Sequence, residues 1–380
     1  MRFKTKRLII IFLFFFFTQL LFSENPKVLK SSENPVYGNL NLKLRKDLIL
    51  GEEAKGPYLF ASVNGIEVSD KYIYVLDSRM AKVNVYNLRG GFVREIGRKG
   101  EGPGEFMLPN SFCLSPKKDI HVYDLMSQRL SVFDQEGKYK NDLKIEKILS
   151  GKFYVDENGY IYSIFSEPES EIGLNMYINF AKFDPKGKEE KVFYKISQLK
   201  LIGFEEKGRK GNLLYDHPYM PHLYFTNIYK DNFALMDSMK YEIIIFSKEG
   251  EVLLRILKDE KGSKVTGEER EIALSEERTG IPKELQKYAT FSETRPFSSN
   301  LLSDEKGRIY VERFKPVTEK GGPFIYDIFN SKGEYLYRLS LDFKIELIKN
   351  GYIYTISTNE ETGEIKIIRY RMENWNEIKF

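Results

Sequence analysis

The feature that most constrains this chain is a repeat. Gly51, Gly56, Pro57 and Phe60 fall on Gly97, Gly102, Pro103 and Phe106, each pair 46 residues apart. After one inserted residue the register resumes at 47, aligning Asp77 with Asp124, Val85 with Val132, Tyr86 with Phe133 and Gly90 with Gly137. Self-similarity at such a period is the signature of units that bury their apolar faces against one another. The glycine-rich stretch Glu95–Pro109 ("EIGRKGEGPGEFMLP") therefore reads as a joint between units. A phosphate-cradling loop would need Gly-x4-Gly-Lys-Ser/Thr opening a helix. Here Pro103 follows Gly102, and strand-like sequence flanks the segment.

The same unit recurs more weakly downstream. Its middle is an apolar-aromatic run beginning at Tyr72, Asp119, Tyr160, Asn232, Arg308 and Tyr352, each preceded by turn chemistry such as "VSDK", "DENG" or "IKNG". Asp, Asn and Gly collect there because they tolerate tight or left-handed backbone. A second strand and turn follow ("VYNLRG", "VFDQEG", "KFDPKG", "IFSKEG", "IFNSKG"), then a third run. Six such units are countable, and each reads as a four-stranded antiparallel meander. The expected fold class is all-β, a six-bladed β-propeller that hides its sheet edges by radial closure. Counting alone leaves seven or eight blades open. Asn39–Leu50 reads as a strand with no unit of its own, and the final unit, ending near Met372, lacks a fourth strand. The expectation is that the N-terminal strand completes the last blade, giving a propeller over 39–380 after a leader at 24–38.

Residues Ile73–Pro109 ("IYVLDSRMAKVNVYNLRGGFVREIGRKGEGPGEFMLP") resemble an NHL-type repeat, and the chain resembles the bacterial six-bladed β-propeller proteins of that group. The resemblance is sharp over 40–140. It implies the propeller fold, and it implies kinship with lyases and lactonases that use metals and His or Glu drawn from several blades. Two segments depart from the unit. Residues 198–220 separate units three and four. Residues 264–289 are dense in Glu, Lys, Ala and Leu, which favours a helix broken into two pieces at Gly280-Ile281-Pro282. Either insertion could be a binding lid or a cap on a blade edge.

The first 23 residues pair a basic start with an apolar run, Leu8–Phe22, which is the layout of a signal peptide and too short to span a bilayer. They carry Arg2, Lys4, Lys6 and Arg7 and no acid. Removing those four from the 59 basic residues leaves 55, equal to the 55 acidic ones. A neutral mature chain gives no reason to expect nucleic acid as a partner. Cys113, the single cysteine, reads as a small buried core residue. An exported chain without an intrachain disulfide suits a bacterial envelope, periplasmic or extracellular, better than a small extracellular toxin.

Propeller topology sorts the loops onto two faces. Second-to-third strand loops and blade-to-blade joints share one face, where Asp77, Arg79, Lys99, Asp124, Arg129 and Arg313 are expected around the channel mouth. Convergent polar groups at a concave mouth are the default binding site. The histidines are His121, His217 and His222. "DHPYMPH" sets Asp216, His217 and His222 close together, but two prolines and no regular element give no preorganised metal ligation. No Gly-x-Ser-x-Gly elbow occurs. The expectation is a monomeric, non-catalytic propeller without cofactor, with no membrane span in its mature form, binding a protein, peptide or glycan on the joint face. The alternative is a metal-assisted lyase or hydrolase in the channel.

Overall fold

The computed structural model describes residues 26–52, 59–169, 175–199, 201–206, 209–214, 216–228, 231–279, 281–319 and 321–379. The expected signal peptide and the first-unit residues Gly56 and Pro57 lie outside them. Among the described residues no helix is long and apolar enough to cross a membrane.

Six antiparallel blades are arranged as a propeller ring. Blade one is Val63–Val68, Tyr72–Asp77, Lys82–Asn87 and Phe92–Ile96. Blade two is Pro109–Leu114, Ile120–Asp124, Arg129–Phe133 and Tyr139–Lys144. Blade three is Leu149–Val155, Ile161–Pro168, Asn175–Phe183 and Glu189–Leu199. Blade four is Leu223–Ile228, Asn232–Asp237, Glu242–Phe246 and Val252–Leu257. Blade five is Ser298–Ser303, Ile309–Arg313, Phe324–Phe329 and Tyr335–Leu341. Blade six is Leu347–Lys349, Tyr352–Thr358 and Ile365–Met372, completed by Leu44–Leu50 running antiparallel to its third strand, with Leu50 opposite Ile367 and Leu44 opposite Met372.

The ring therefore closes through the N-terminal strand, with one correction to its extent. The expected single strand Asn39–Leu50 is two. Asn39–Leu40 pairs in parallel with the outer strand of blade five, and Leu44–Leu50 then enters blade six. Asn374 fixes the crossing, since its Oδ1 accepts the Lys43 amide and its Nδ2 donates to the Asn41 carbonyl, both at 2.9 Å. Upstream, Lys27–Lys30 lies in parallel against the outer strand of blade four. Two outer edges that would otherwise offer unpaired amides are thus covered.

The second strands are buried almost throughout, as in Tyr72–Asp77 and Asn232–Asp237, whereas outer strands such as Phe92–Ile96 alternate. Middle strands face neighbouring blades on both sides, which is why they read as continuous apolar runs. Each interface between adjacent blades holds its own apolar cluster. Between blades three and four Tyr162 meets Phe233 at 4.4 Å between ring centroids.

The joint expected at Gly97 is built on a glycine-aromatic contact. Gly97 has φ +77°, and a Cβ there would lie 2.1 Å from the ring of Phe106, which is fully buried between blades one and two. Gly51 repeats this with φ +91° and Phe60 at 2.9 Å. The aromatic partners repeat as well, Phe60 on Tyr86 and Phe106 on Phe133. Left-handed backbone with no room for a side chain explains why both positions are glycine. Gly102 is not in that region.

The two departures are a hairpin and a helical cap. Leu201–Glu206 pairs with Arg209–Leu214 as a separate two-stranded sheet. The second contains helices Gly267–Leu274 and Glu276–Thr279 and a 3-10 turn, Gln286–Tyr288. The helix is interrupted first at Ser275, and its second piece ends at Thr279, directly before the expected break at 280–282; Gly280 itself lies outside the described residues. Thr266 and Glu269 form a reciprocal capping box at the first helix.

Candidate ligand-binding site

The sequence-predicted residues divide into architectural groups, exposed tips and one cleft residue. Asp77 is buried, and its carboxylate accepts the amides of Ala61 at 2.7 Å and of Ser62 and Met80 at 3.1 Å. Asp124 does the same one unit later, accepting from Met107 at 2.6 Å and from Leu108 and Ser127 at 3.0 Å. Both carboxylates tie an incoming joint to the turn after the second strand, so their oxygens are committed to backbone. Arg129 is likewise turned inward. It donates to the carbonyls of Glu101, Gly102 and Glu105 at 2.7–3.2 Å and pairs with Asp142 at 3.1 Å, pinning the glycine-rich joint to blade two. Arg79 and Lys99 are exposed loop residues. None of these five lines either of the two cavities described below.

Arg313 does belong to a concavity. At the end of the second strand of blade five it lines a cleft of about 700 Å³ with Lys258, Lys261, Arg295 and Arg338. The cleft lies where the joint from blade four meets blade five, walled by Glu33 and Asn34 of the N-terminal leader and floored by Phe297, Phe314 and Ile325. Behind it sits Asp327, fully buried, accepting from Arg338 Nε at 2.8 Å and from the hydroxyls of Tyr241 and Tyr335. Arg313 and Lys258 each approach it at 3.5 Å. Burial alone would raise Asp327, but the Arg338, Tyr241 and Tyr335 hydrogen bonds outweigh it and hold the carboxyl below its usual range. Glu260 braces Arg313 and Lys258 from the other side. The guanidinium groups of Arg313, Arg338 and Arg295 are thus engaged by Glu260, Asp327 and Glu269, and with Glu33, Asp259 and Glu319 also lining the cleft its wall carries both charges, Lys261 being exposed at it.

The helical insertion reaches the cleft indirectly, through the lining residue Arg295. Glu269, fully buried, pairs with Arg295 at 2.8 Å and accepts the Tyr219 hydroxyl at 2.8 Å. Burial would raise it, yet the Thr266 amide, Tyr219 and Arg295 prevail and keep it ionised below the usual range. His217 belongs to this packing. It is buried, stacks on Phe291 at 4.2 Å, and its Nε2 lies 3.0 Å from the Thr290 carbonyl, while burial pushes its pKa down. His222 Nε2 is 3.7 Å from Asp216. Among the described residues no cluster of three or more His, Cys, Asp or Glu is arranged to hold a metal.

A second cavity, of about 430 Å³, lies on the ring axis and was not singled out from the sequence. Inner strands of all six blades line it, and it carries Glu67, Lys152, Glu346 and Lys349. Asp231, Asp304 and Lys349, at or beside first-to-second strand turns, place it toward the face opposite the joints. Glu67 is half-buried and Lys152 exposed to the water of the chamber, with the strands of the ring packed densely around both. Enclosure pushes the Glu67 carboxyl up to about 7 against the pull of Lys349 and Lys152. It pushes Lys152 down. The available signal was a charged residue inside an inner strand, as in "VNGIEV", which resembles ordinary strand alternation unless the inner strands are already known.

A domain family described as a domain of unknown function, DUF4934, matches residues 53–234, just under half of the chain. No curated protein matches. Among solved structures, a Bacteroides fragilis NCTC 9343 protein designated as exported is 13% identical at TM-score 0.53, covering 91% of this chain and 100% of that one. A DUF4221 family member from Bacteroides vulgatus ATCC 8482 is 11% identical at TM-score 0.50, covering 87% and 97%. An inactive virginiamycin B lyase from Staphylococcus aureus is 12% identical at TM-score 0.42, covering 86% and 99%, too distant to carry an inference. The two Bacteroides structures share this chain's propeller fold.

Proposed function

We propose that this chain is an exported, non-catalytic propeller that binds a protein, peptide or glycan at its joint face. The observation that carries the reading is the blade four–five cleft, where three arginines converge over an apolar floor. A ligand with an acidic group would meet the exposed ammonium of Lys261 there, among the five basic residues of a lining that also holds Glu33, Asp259, Glu260 and Glu319. The signal-peptide layout of residues 1–23 supports export to the periplasm or outside the cell, as does the likeness to a protein designated as exported. The NHL-type character of residues 40–140 supports a repeat scaffold whose loops carry the binding.

Calorimetric titration with acidic and neutral oligosaccharides and peptides tests the site. Acidic ligands should bind, and Lys261→Glu, a change at an exposed position, should weaken them without altering the melting temperature. Equal binding of neutral ligands, or binding indifferent to Lys261→Glu, would remove the cleft from consideration. Intact mass of the exported protein tests the leader, since retention of Met1–Ser23 would mean an anchor.

A further inference from the structure

The axial chamber holds opposite charges that do not neutralise one another. Glu67 comes from blade one, Lys152 from blade three, and Lys349 and Glu346 from blade six. Charge interactions couple Glu67 to both Lys349 and Lys152. No N···O approach within ion-pair distance joins them among the described residues, and none of the three side chains has a hydrogen bond. Glu312, on the second strand of blade five, is 4% exposed and couples to Lys344, Glu346 and Lys152. Its Oε1 accepts the Ser299 hydroxyl at 2.8 Å, while its Oε2 has no partner. Asn227 Nδ2, an amide donor on a chamber-lining residue, is also without one.

A purely structural arrangement would close these groups into direct pairs, because an enclosed charge without a partner opposes folding. Here the inner strands hold Glu67, Lys152 and Lys349 apart around a space. Glu67, Glu312 and Glu346 are balanced by Lys152, Lys344 and Lys349, with Lys344 and Glu346 3.7 Å apart. A simple anion would meet the carboxylates and a simple cation the ammonium groups. A neutral molecule carrying both charges meets neither objection.

We propose that the axial chamber binds a small dipolar ligand, a free amino acid or short peptide, with its ammonium toward Glu67 and its carboxylate toward Lys152 and Lys349. The chamber's volume suits a ligand of this size and excludes a folded protein. Asn227 Nδ2 can donate to a peptide ligand's carbonyl, and the Thr226 hydroxyl oxygen, whose proton goes to Ser303 as Ser303 donates to the Asn227 carbonyl, can accept from its N–H. This site faces away from the joint-face cleft, so either can fail without the other.

The test is calorimetric titration of the full chain at pH 8 with L-alanyl-L-alanine, its N-acetyl derivative, its C-terminal amide, and sodium acetate. The free dipeptide should bind, and each singly blocked form should bind at least about tenfold more weakly, the loss expected when one member of an enclosed charge pair is removed. Glu67→Gln should weaken the free dipeptide about tenfold and leave the N-acetyl form no weaker; Lys349→Met should weaken the free dipeptide likewise and leave the C-terminal amide no weaker. Circular dichroism confirms that both variants fold. The proposal is overturned if blocked and free forms bind alike, if acetate alone competes fully, or if neither free dipeptide nor any free amino acid binds at about 10 mM.

Discussion

An ionised carboxyl inside a ring of strands gives up hydration that its neighbours must replace. At Glu67 those neighbours are Lys349 and Lys152 across the chamber and the Cys113 thiol, none of them paired with it, and its pKa rises from 4.5 to about 7. The fold thus favours the protonated form. Stability from this group is fully present below about 4.5 and is lost as pH rises through about 7. Glu67→Gln removes that penalty, so its melting temperature should match wild type at pH 5 and exceed it at pH 8. A difference independent of pH would mean that Glu67 titrates normally. The joint aromatics make a second case at this scale. Phe106→Ala and Phe60→Ala should each cost about 3–5 kcal/mol, as large core truncations do, whereas exposed Lys99→Ala should change stability by less than about 0.5 kcal/mol. Parallel thermal melts decide it, and phenylalanine variants that melt like wild type would return the glycine stretch to the status of a ligand loop.

Among elements, the helical insertion depends on one buried carboxylate. Glu269 caps its own helix, holds Arg295 at the cleft wall and receives Tyr219 from the preceding inter-blade segment. Glu269→Gln should destabilise the protein by about 1–3 kcal/mol, moderated because Arg295 keeps a route to water. Since its folded pKa is depressed, wild-type stability from this group is present above the ordinary glutamate range and falls away on acidification, so the difference between the two proteins should shrink toward low pH. Melting the pair from pH 7 to pH 3 checks this. The element scale also shows what sequence can and cannot reveal. Repeated turns and apolar runs exposed the blades, because a strand buried on both sides has to read as a continuous apolar run. The Asp77–Asp124 correspondence was visible too, but its meaning was not. An aspartate that accepts backbone amides and one that meets a ligand look identical until the partner is located 15 to 17 residues away. Arg129 opens a third strand and is taken up by its own joint, while Arg313 ends a second strand and meets Glu260 and Asp327 in a cleft; those partners are not written beside either arginine in the chain.

At the scale of the whole molecule, ring closure depends on a strand from the far end of the sequence. A chain beginning at Leu59 lacks the closing strand and leaves the third strand of blade six as an open edge, which invites association with other chains. It should elute as aggregates and lose cooperative melting; a monomer with the parent's melting temperature would show that the N-terminal strand is dispensable. The same arrangement orders events in time. Leu50 finds Ile367 across 317 residues of chain, and Lys27–Lys30 waits for blade four. What the ribosome makes first can therefore be seated only after what it makes last, because closing so long a loop brings no reward until both ends exist. Until blade six emerges, the first-made strand has no partner to pair with, so the ring cannot be completed while the chain is still being synthesised.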